Sequence, residues 1–449
     1  MATAVPPADA SGAGIPVRRE GFKITRIFIF SLTFLIAGLL ILIFTPQQIG
    51  GGVSSSLTFG DGLPELVVPT VPWAVLVALL YVGGGVVGLL PPNMLNLRNI
   101  DRIRARWLIL NGILIIPTVL VLAAAGKSTN MITMLASSFR AATPIIIGAM
   151  AGLWCERSGV VNIAIEGMML TGASFGFITF SLLGDVLPGD GAIYLGILIA
   201  VVGGAMMATL HAWLSITFKT DQIISGTVIN ILALGLTSFL RIEVLLNADA
   251  ARETLQPLHV IFEDVPVLGG LLSGLADIPI LGPVFLSGKP IFTAMFFILI
   301  ITHLVLFYTR WGLRTRAVGE NPHAADTLGI DVIKNRYINV IVGGMIAGLA
   351  GAWFSLETTG SFDDNMTNGT GFIALAALIF GKWTPFGAMA GGVLFGFASA
   401  LETRFQILDV PVPSQFIQMT PYIVTIVVLA GLVGRATAPK AVGQPYQKE

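Results

Sequence analysis

Charge is what this chain most lacks. Asp, Glu, Lys and Arg together make 11% of its 449 residues, against roughly a quarter in soluble domains. Hydrophobic residues make 55%, and the mean hydropathy is +0.86. Many membrane spans, rather than one large buried core, account for such a deficit. The formal net charge is zero, which removes any bulk electrostatic attraction for nucleic acid. Cys155 is the single cysteine, so an intrachain disulfide and a thiolate metal cluster are both excluded. His211, His259, His303 and His323 are scattered without metal-ligand spacing, and neither metal nor cofactor is expected. Residues 1–23 lack the apolar core and cleavage site of a signal peptide, so the first hydrophobic run is expected to stay as a span. Gly126-Lys127-Ser128 matches the end of a phosphate-binding loop, but Val121 stands where that loop requires glycine. The chain therefore carries no ATPase of its own.

What it has instead is apolar sequence in membrane-length runs. The pattern predicts an all-α polytopic membrane bundle of about twelve segments, at 25–45, 71–90, 107–126, 131–153, 159–183, 192–217, 223–246, 289–309, 337–357, 371–384, 386–403 and 414–434. Segment 371–384 is short for a full crossing and is broken at Gly381-Lys382-Trp383-Thr384-Pro385, which reads as a half-helix or re-entrant segment. With the N-terminus placed in the cytoplasm, only Lys127, Arg252, Lys289 and Arg404 fall in outer loops, so both termini are expected inside. The expected divisions are a disordered tail 1–23, a first pair of spans with a basic loop 24–105, ten further spans over 106–434 and a cytoplasmic tail 435–449. Small-xxx-small pairs such as Gly84/Gly88, Gly172/Gly176, Gly344/Gly348, Gly387/Gly391 and Gly392/Gly396 point to close helix packing.

Polar groups inside these runs are the candidates for function. Glu166 and Asn162 are four apart and share one face if the segment is helical from 159. An acid at that depth needs a polar interior or a partner. It reads as a proton site, a substrate contact or a brace between helices, the brace being favoured; Arg140 is the candidate ion-pair partner. Gln222, Thr227 and Asn230 offer polar groups at the start of another span, with interhelical hydrogen bonding as their default use. Phe372, Trp383 and Trp154 have stacking faces, although aromatics near helix ends are more often interfacial anchors. Asp363-Asp364 invites a metal-diphosphate reading. No second acidic motif accompanies it, so a solvated loop that contacts an external partner is favoured.

The loop from Trp311 to Arg336 is the second strong signal. Asn321 suits a helix cap, Pro322 the first helical position, and Gly329 a left-handed stop. Ala324, Ala325 and Leu328 give the short helix an apolar face. It reads equally as a docking element or as a connector at the membrane surface.

Arg157–Ala173, Thr220–Thr237, Gly312–Ile330 and Gly371–Gly396 resemble, in this order, the permease subunits of bacterial ABC importers, in the branch that handles simple sugars and nucleosides. The wording VNIAIEGMML is similar to nucleoside-type permeases that work with a basic-membrane-protein-type lipoprotein. The resemblance covers about 130–434, and family members usually lack the first two spans. It implies a multi-pass cell-membrane permease that is not itself an enzyme. The implied partners are a second homologous permease subunit, a cytoplasmic ATP-binding subunit, an extracytoplasmic substrate-binding lipoprotein, membrane lipid and a nucleoside or sugar substrate. Glu320, Asn321, Pro322, Ala324, Ala325, Leu328 and Gly329 would form the ATPase-coupling helix. Asn162, Glu166, Gln222, Thr227, Asn230 and Phe372 would line or brace the translocation path. A proton-coupled secondary carrier using Glu166 is the alternative.

Overall fold

Ten helices among the described residues are long and apolar enough to cross a membrane. The computed structural model describes residues 26–60, 64–90, 100–184, 186–187, 190–247, 253–265, 267–408, 415, 419 and 437–448. The expected span at 414–434 falls almost wholly outside them. The chain divides into two units, one made of 1–51 with 71–119 and the other of 52–70 with 120–449.

The first unit is built from α1 (Arg26–Gln48), α2 (Thr70–Leu89) and α3 (Ile100–Ala123). Phe34, Val77 and Tyr81 form its small core. A Cβ on Gly85 would lie 2.7 Å from the Ser31 carbonyl oxygen, so the backbones of α1 and α2 approach as a small-residue stripe allows. Helix α3 starts earlier than expected and takes Arg102 and Arg104 into its first turns, where Arg104 Nε donates to Val87 O at 3.3 Å.

The second unit opens with a small sheet absent from the all-α expectation. Strands β1 (Ser54–Thr58), β2 (Leu66–Pro69) and β3 (Ser128–Asn130) are ordered β2-β1-β3, antiparallel then parallel. The helices that follow are α4 (Met131–Arg157), α5 (Ile165–Leu183), α6 (Gly191–Ala212) and α7 (Gln222–Glu243). The stretch between α7 and the next long helix carries two short helices, α8 (Leu258–Ile261) and α9 (Leu268–Ala276). Then come α10 (Pro290–Tyr308), α11 (Arg310–Glu320), α12 (Pro322–Thr327), α13 (Val332–Ala352), α14 (Thr370–Phe380) and α15 (Pro385–Ile407). Wider π-type turns continue α6 to Thr217 and α13 to Thr359. Helices α5, α6 and α13 meet at glycine. A Cβ on Gly348 would lie 2.2 Å from Ala200 O, and one on Gly204 would lie 2.3 Å from Gly344 O.

Two glutamates cap helices distant from them in sequence. Glu357 takes the N–H of Ile291 at 2.6 Å and of Phe292 at 3.0 Å, the first free donors of α10. Lys289 Nζ donates to Glu357 O at 2.6 Å; burial holds the Lys289 ammonium below its ordinary range, against the pull of Glu357. Arg140 acts electrostatically on Glu357 and Lys289. The expected Arg140–Glu166 pair is absent because Glu166 has other donors.

Candidate functional site

Helix α4 stops at Arg157, and the chain turns through Gly159, whose φ is +89°. Residues 160–164 are not helical, and α5 begins only at Ile165. The expected helix from 159 is therefore interrupted, and Asn162 and Glu166 do not share a helical face. Open backbone inside a membrane must be satisfied by protein or water. Here side chains from three helices do it. Arg336 Nε donates to Ser158 O at 3.2 Å. Gln222 Oε1 accepts from Val161 N–H at 2.7 Å, and His211 Nε2 donates to Val161 O at 2.9 Å. Asn230 Nδ2 donates to Ile163 O at 3.0 Å while its Oδ1 accepts from Gly167 N–H at 2.8 Å. A carbonyl only accepts, so His211 carries a proton on Nε2; Nδ1 of a neutral ring then takes the Ser225 hydroxyl at 3.1 Å. Asn162 is fully buried and turns its Nδ2 to Cys155 Sγ at 3.2 Å.

Glu166 sits just above this break, in the first turn of α5. Its Oε1 accepts from the Thr367 hydroxyl at 2.6 Å and Gly369 N–H at 2.8 Å, and its Oε2 from Gly371 N–H at 2.6 Å. Those donors open α14, so the acid caps that helix and meets the positive end of its dipole. Gly369 has φ +81°, which lets the chain turn into the helix. Helix α14 has 11 residues, about 16 Å of rise, or half of a ~30 Å hydrocarbon layer. Its far end is tied to α4: the Trp383 indole donates to Glu156, and Arg157 Nε donates to Trp383 O at 2.9 Å. Lys382 and Trp383 both have φ +52°, a strained turn for residues with side chains. Thus the expected half-helix exists, with Glu166 at one end of its 11 residues and Arg157 at the other.

A cavity of about 420 Å³ opens beside that acid, lined by Glu166, Thr227, Asn230, Asn365, Asn368 and Phe372 among others. Four of the six expected path residues, Glu166, Thr227, Asn230 and Phe372, therefore meet at one place. The other two, Asn162 and Gln222, support the break behind it. Thr227 and Phe372 are exposed, the ring by 48%. The loop carrying Asn365 and Asn368 is pinned from both sides, by Glu166 as above and by Arg241, whose guanidinium pairs with Asp364 at 3.1 Å and Asp363 at 3.3 Å. The two aspartates are thus engaged with α7 within the chain. His211, Thr367 and the amides of Gly369 and Gly371 were missed from sequence. Gly369-Thr370-Gly371 in front of a short apolar run was the available signal; nothing around His211 marks it out.

At the end of the unit that carries Arg157, α11 leads into α12. Asn321 caps α12 through Oδ1 to Ala324 N–H at 3.1 Å, and Gly329 leaves with φ +78°, as the residue pattern requires. The helix is shorter than the expected stretch from Glu320 to Gly329, and the apolar residues of that stretch divide. Ala325 is 2% exposed, whereas Ala324 is exposed and Leu328 is 82% exposed.

Residues 134–436 match the family described as the permease component of branched-chain amino acid transport systems. The chain belongs to this permease family. The permease is 42% identical over 311 residues to the guanosine ABC transporter permease NupQ of Bacillus subtilis, covering 68% of this chain and 94% of that relative. It is 40% identical over 310 residues to the nucleoside ABC transporter permease NupC of Lactococcus lactis, with 68% and 94% covered. A putative glucose ABC transporter permease of Haloferax volcanii is 31% identical over 339 residues, with 70% and 98% covered. No solved structure matches the chain. About a third of the permease has no counterpart in these relatives, and the family match begins only at residue 134. The chain is thus a multi-pass cell-membrane permease of an ABC importer, with ATP hydrolysis on a separate subunit. That membership decides against the proton-driven carrier.

Proposed function

We propose that this permease passes a nucleoside through the cavity beside Glu166, with the open side of the cavity closed by a second permease subunit. The observation that carries this reading is a polar recess beside Glu166, one 11-residue helix away from the end that carries Arg157. Amides and hydroxyls facing hydrocarbon are costly, so protein or a water-filled path must cover them. A recess of about 420 Å³ falls within the range of small-molecule sites. Phe372 presents a half-exposed ring for a base, while Thr227, Asn365 and Asn368 present groups suited to ribose hydroxyls. The names of the two relatives near 40% identity support nucleoside over sugar. The glucose relative, at 31%, supports a simple sugar as the second reading. In this reading Glu166 is a brace: three donors already occupy it.

The end that carries Arg157 and α12 faces the cytoplasm, because Arg310, Arg314, Arg316, Lys334 and Arg336 cluster there. The exposed side of α12, with Ala324 and Leu328, is the contact for the ATP-binding subunit, and an extracytoplasmic lipoprotein delivers the substrate to the opposite face. The test is uptake by the importer reconstituted in proteoliposomes. Labelled guanosine should accumulate with ATP, excess glucose should not compete, and Phe372→Leu should lower guanosine uptake about tenfold, the size of one lost stacking contact. Glucose competing as well as guanosine, with Phe372→Leu indifferent, would sink the nucleoside reading.

A further inference from the structure

The stretch 437–448 does not trail away from the bundle. Ala441 N–H donates to Gly319 O at 2.9 Å, and Gly443 N–H to Gly159 O at 3.3 Å. Arg336, only 1% exposed, reaches Gln444 O through Nη1 at 3.0 Å while its Nε holds Ser158 O. Tyr446, 7% exposed, completes an apolar cluster with Val318, Ala325 and Val332. Its ring lies 5.2 Å from that of His323, and Lys448 Nζ lies 3.9 Å from Asp326. One stretch of chain therefore touches the end of α11, the inner face of α12, the start of α13 and the break that follows α4.

Helix α12 has six residues and turns one buried alanine inward. So small a buried face cannot by itself carry a displacement into the bundle. The Tyr446 ring fills the space behind Ala325, and the tail backbone runs from there to Gly159. The fit at Gly159 is tight: a Cβ there would lie 2.9 Å from Arg336 Nη2 and 3.3 Å from Ala441 O. The break it reaches is the backbone that His211, Gln222 and Asn230 suspend below Glu166.

We propose that residues 437–448 form a strut that carries displacement of α12 to the 158–164 break, with Tyr446 and Arg336 as its positioning residues. This rests on α12 being the contact for the ATP-binding subunit. A strut stays bound throughout the cycle, which separates it from a latch that must open.

The test uses the complete importer in proteoliposomes and reads substrate moved per ATP hydrolysed. Tyr446→Ala should keep the ATP-binding subunit bound and hydrolysing, yet move at least about 5-fold less substrate per ATP, the low end of coupling between sites. Tyr446→Phe should restore the ratio, because the ring does the packing. In the Asp326→Cys, Lys448→Cys double variant, bridging with a short thiol crosslinker should leave transport as it was before bridging. An unaltered ratio in Tyr446→Ala overturns the strut, and transport arrested by the crosslink replaces it with a latch. Loss of the ATP-binding subunit from Tyr446→Ala makes the tail a dock instead. If Tyr446→Ala does not accumulate, deletion of 445–449 is read for the same ratio. Retention of the ATP-binding subunit by Leu328→Glu would sink the reading of α12 separately, whatever the tail does.

Discussion

Three donors converge on the Glu166 carboxyl, and the two backbone N–H groups among them, of Gly369 and Gly371, cannot accept. A glutamine there sets an amide N–H₂ against at least one of those donors, leaving a buried group unmet at about 1–3 kcal/mol. Glu166→Gln should therefore lower the thermal midpoint in detergent while ATP-driven uptake keeps its pH profile. Uptake abolished at an unchanged midpoint would show the brace to be wrong. Asn230 has the same character, since both ends of its amide hold backbone across the break. The importance of an acid and amides at these positions was legible in the residues, because polar groups in apolar runs need partners. Their partners were not: Thr367 lies 201 residues from Glu166 and Asn230 lies 67 from Ile163, and no local pattern encodes such pairings.

Among the elements, the breaks matter more than the helices. Helix α14 is legible as short because Gly381 to Pro385 punctuates it. The extent of the break after α4 was hidden, because Val160, Val161, Ile163 and Ala164 read as the start of the next apolar helix. Groups of α6, α7 and α13, together with the tail's Gly443 N–H, make the open backbone tolerable there. Helix packing was read better, since the pair Gly344/Gly348 does form a close junction. A methyl on Gly348 meets the Ala200 carbonyl at 2.2 Å, and rigid backbone cannot yield to it. Gly348→Ala should cost about 1–3 kcal/mol through overpacking. Gly235→Ala on α7, with nothing within 4 Å of the new methyl, should be neutral or gain up to about 1 kcal/mol of helix propensity. Thermal denaturation of the two variants side by side checks the contrast. Equal midpoints would remove the junction from the account.

At the scale of the whole molecule, the chain holds the path and lacks the engine, so its surfaces must do the coupling. The two apolar residues of α12 that face outward are separable from the one that faces inward. Leu328→Glu should leave the permease folded and monodisperse but strip the ATP-binding subunit on purification. Ala325→Glu should instead lower stability, because a charge enters the cluster with Val318, Val332 and Tyr446. Identical behaviour of the two variants would mean that α12 is a connector and no more.

The residues alone determined a polytopic membrane chain, the half-helix, the capped element near 321–329 and the family, because hydropathy, caps and motif wording are local properties of the sequence. Tertiary structure decided which polar groups meet at the cavity, that Glu166 caps α14 instead of pairing with Arg140, and that the tail returns beneath α12. Those outcomes depend on donors and acceptors finding one another across hundreds of residues, where an unmet group in a water-poor interior is the penalty that selects the arrangement.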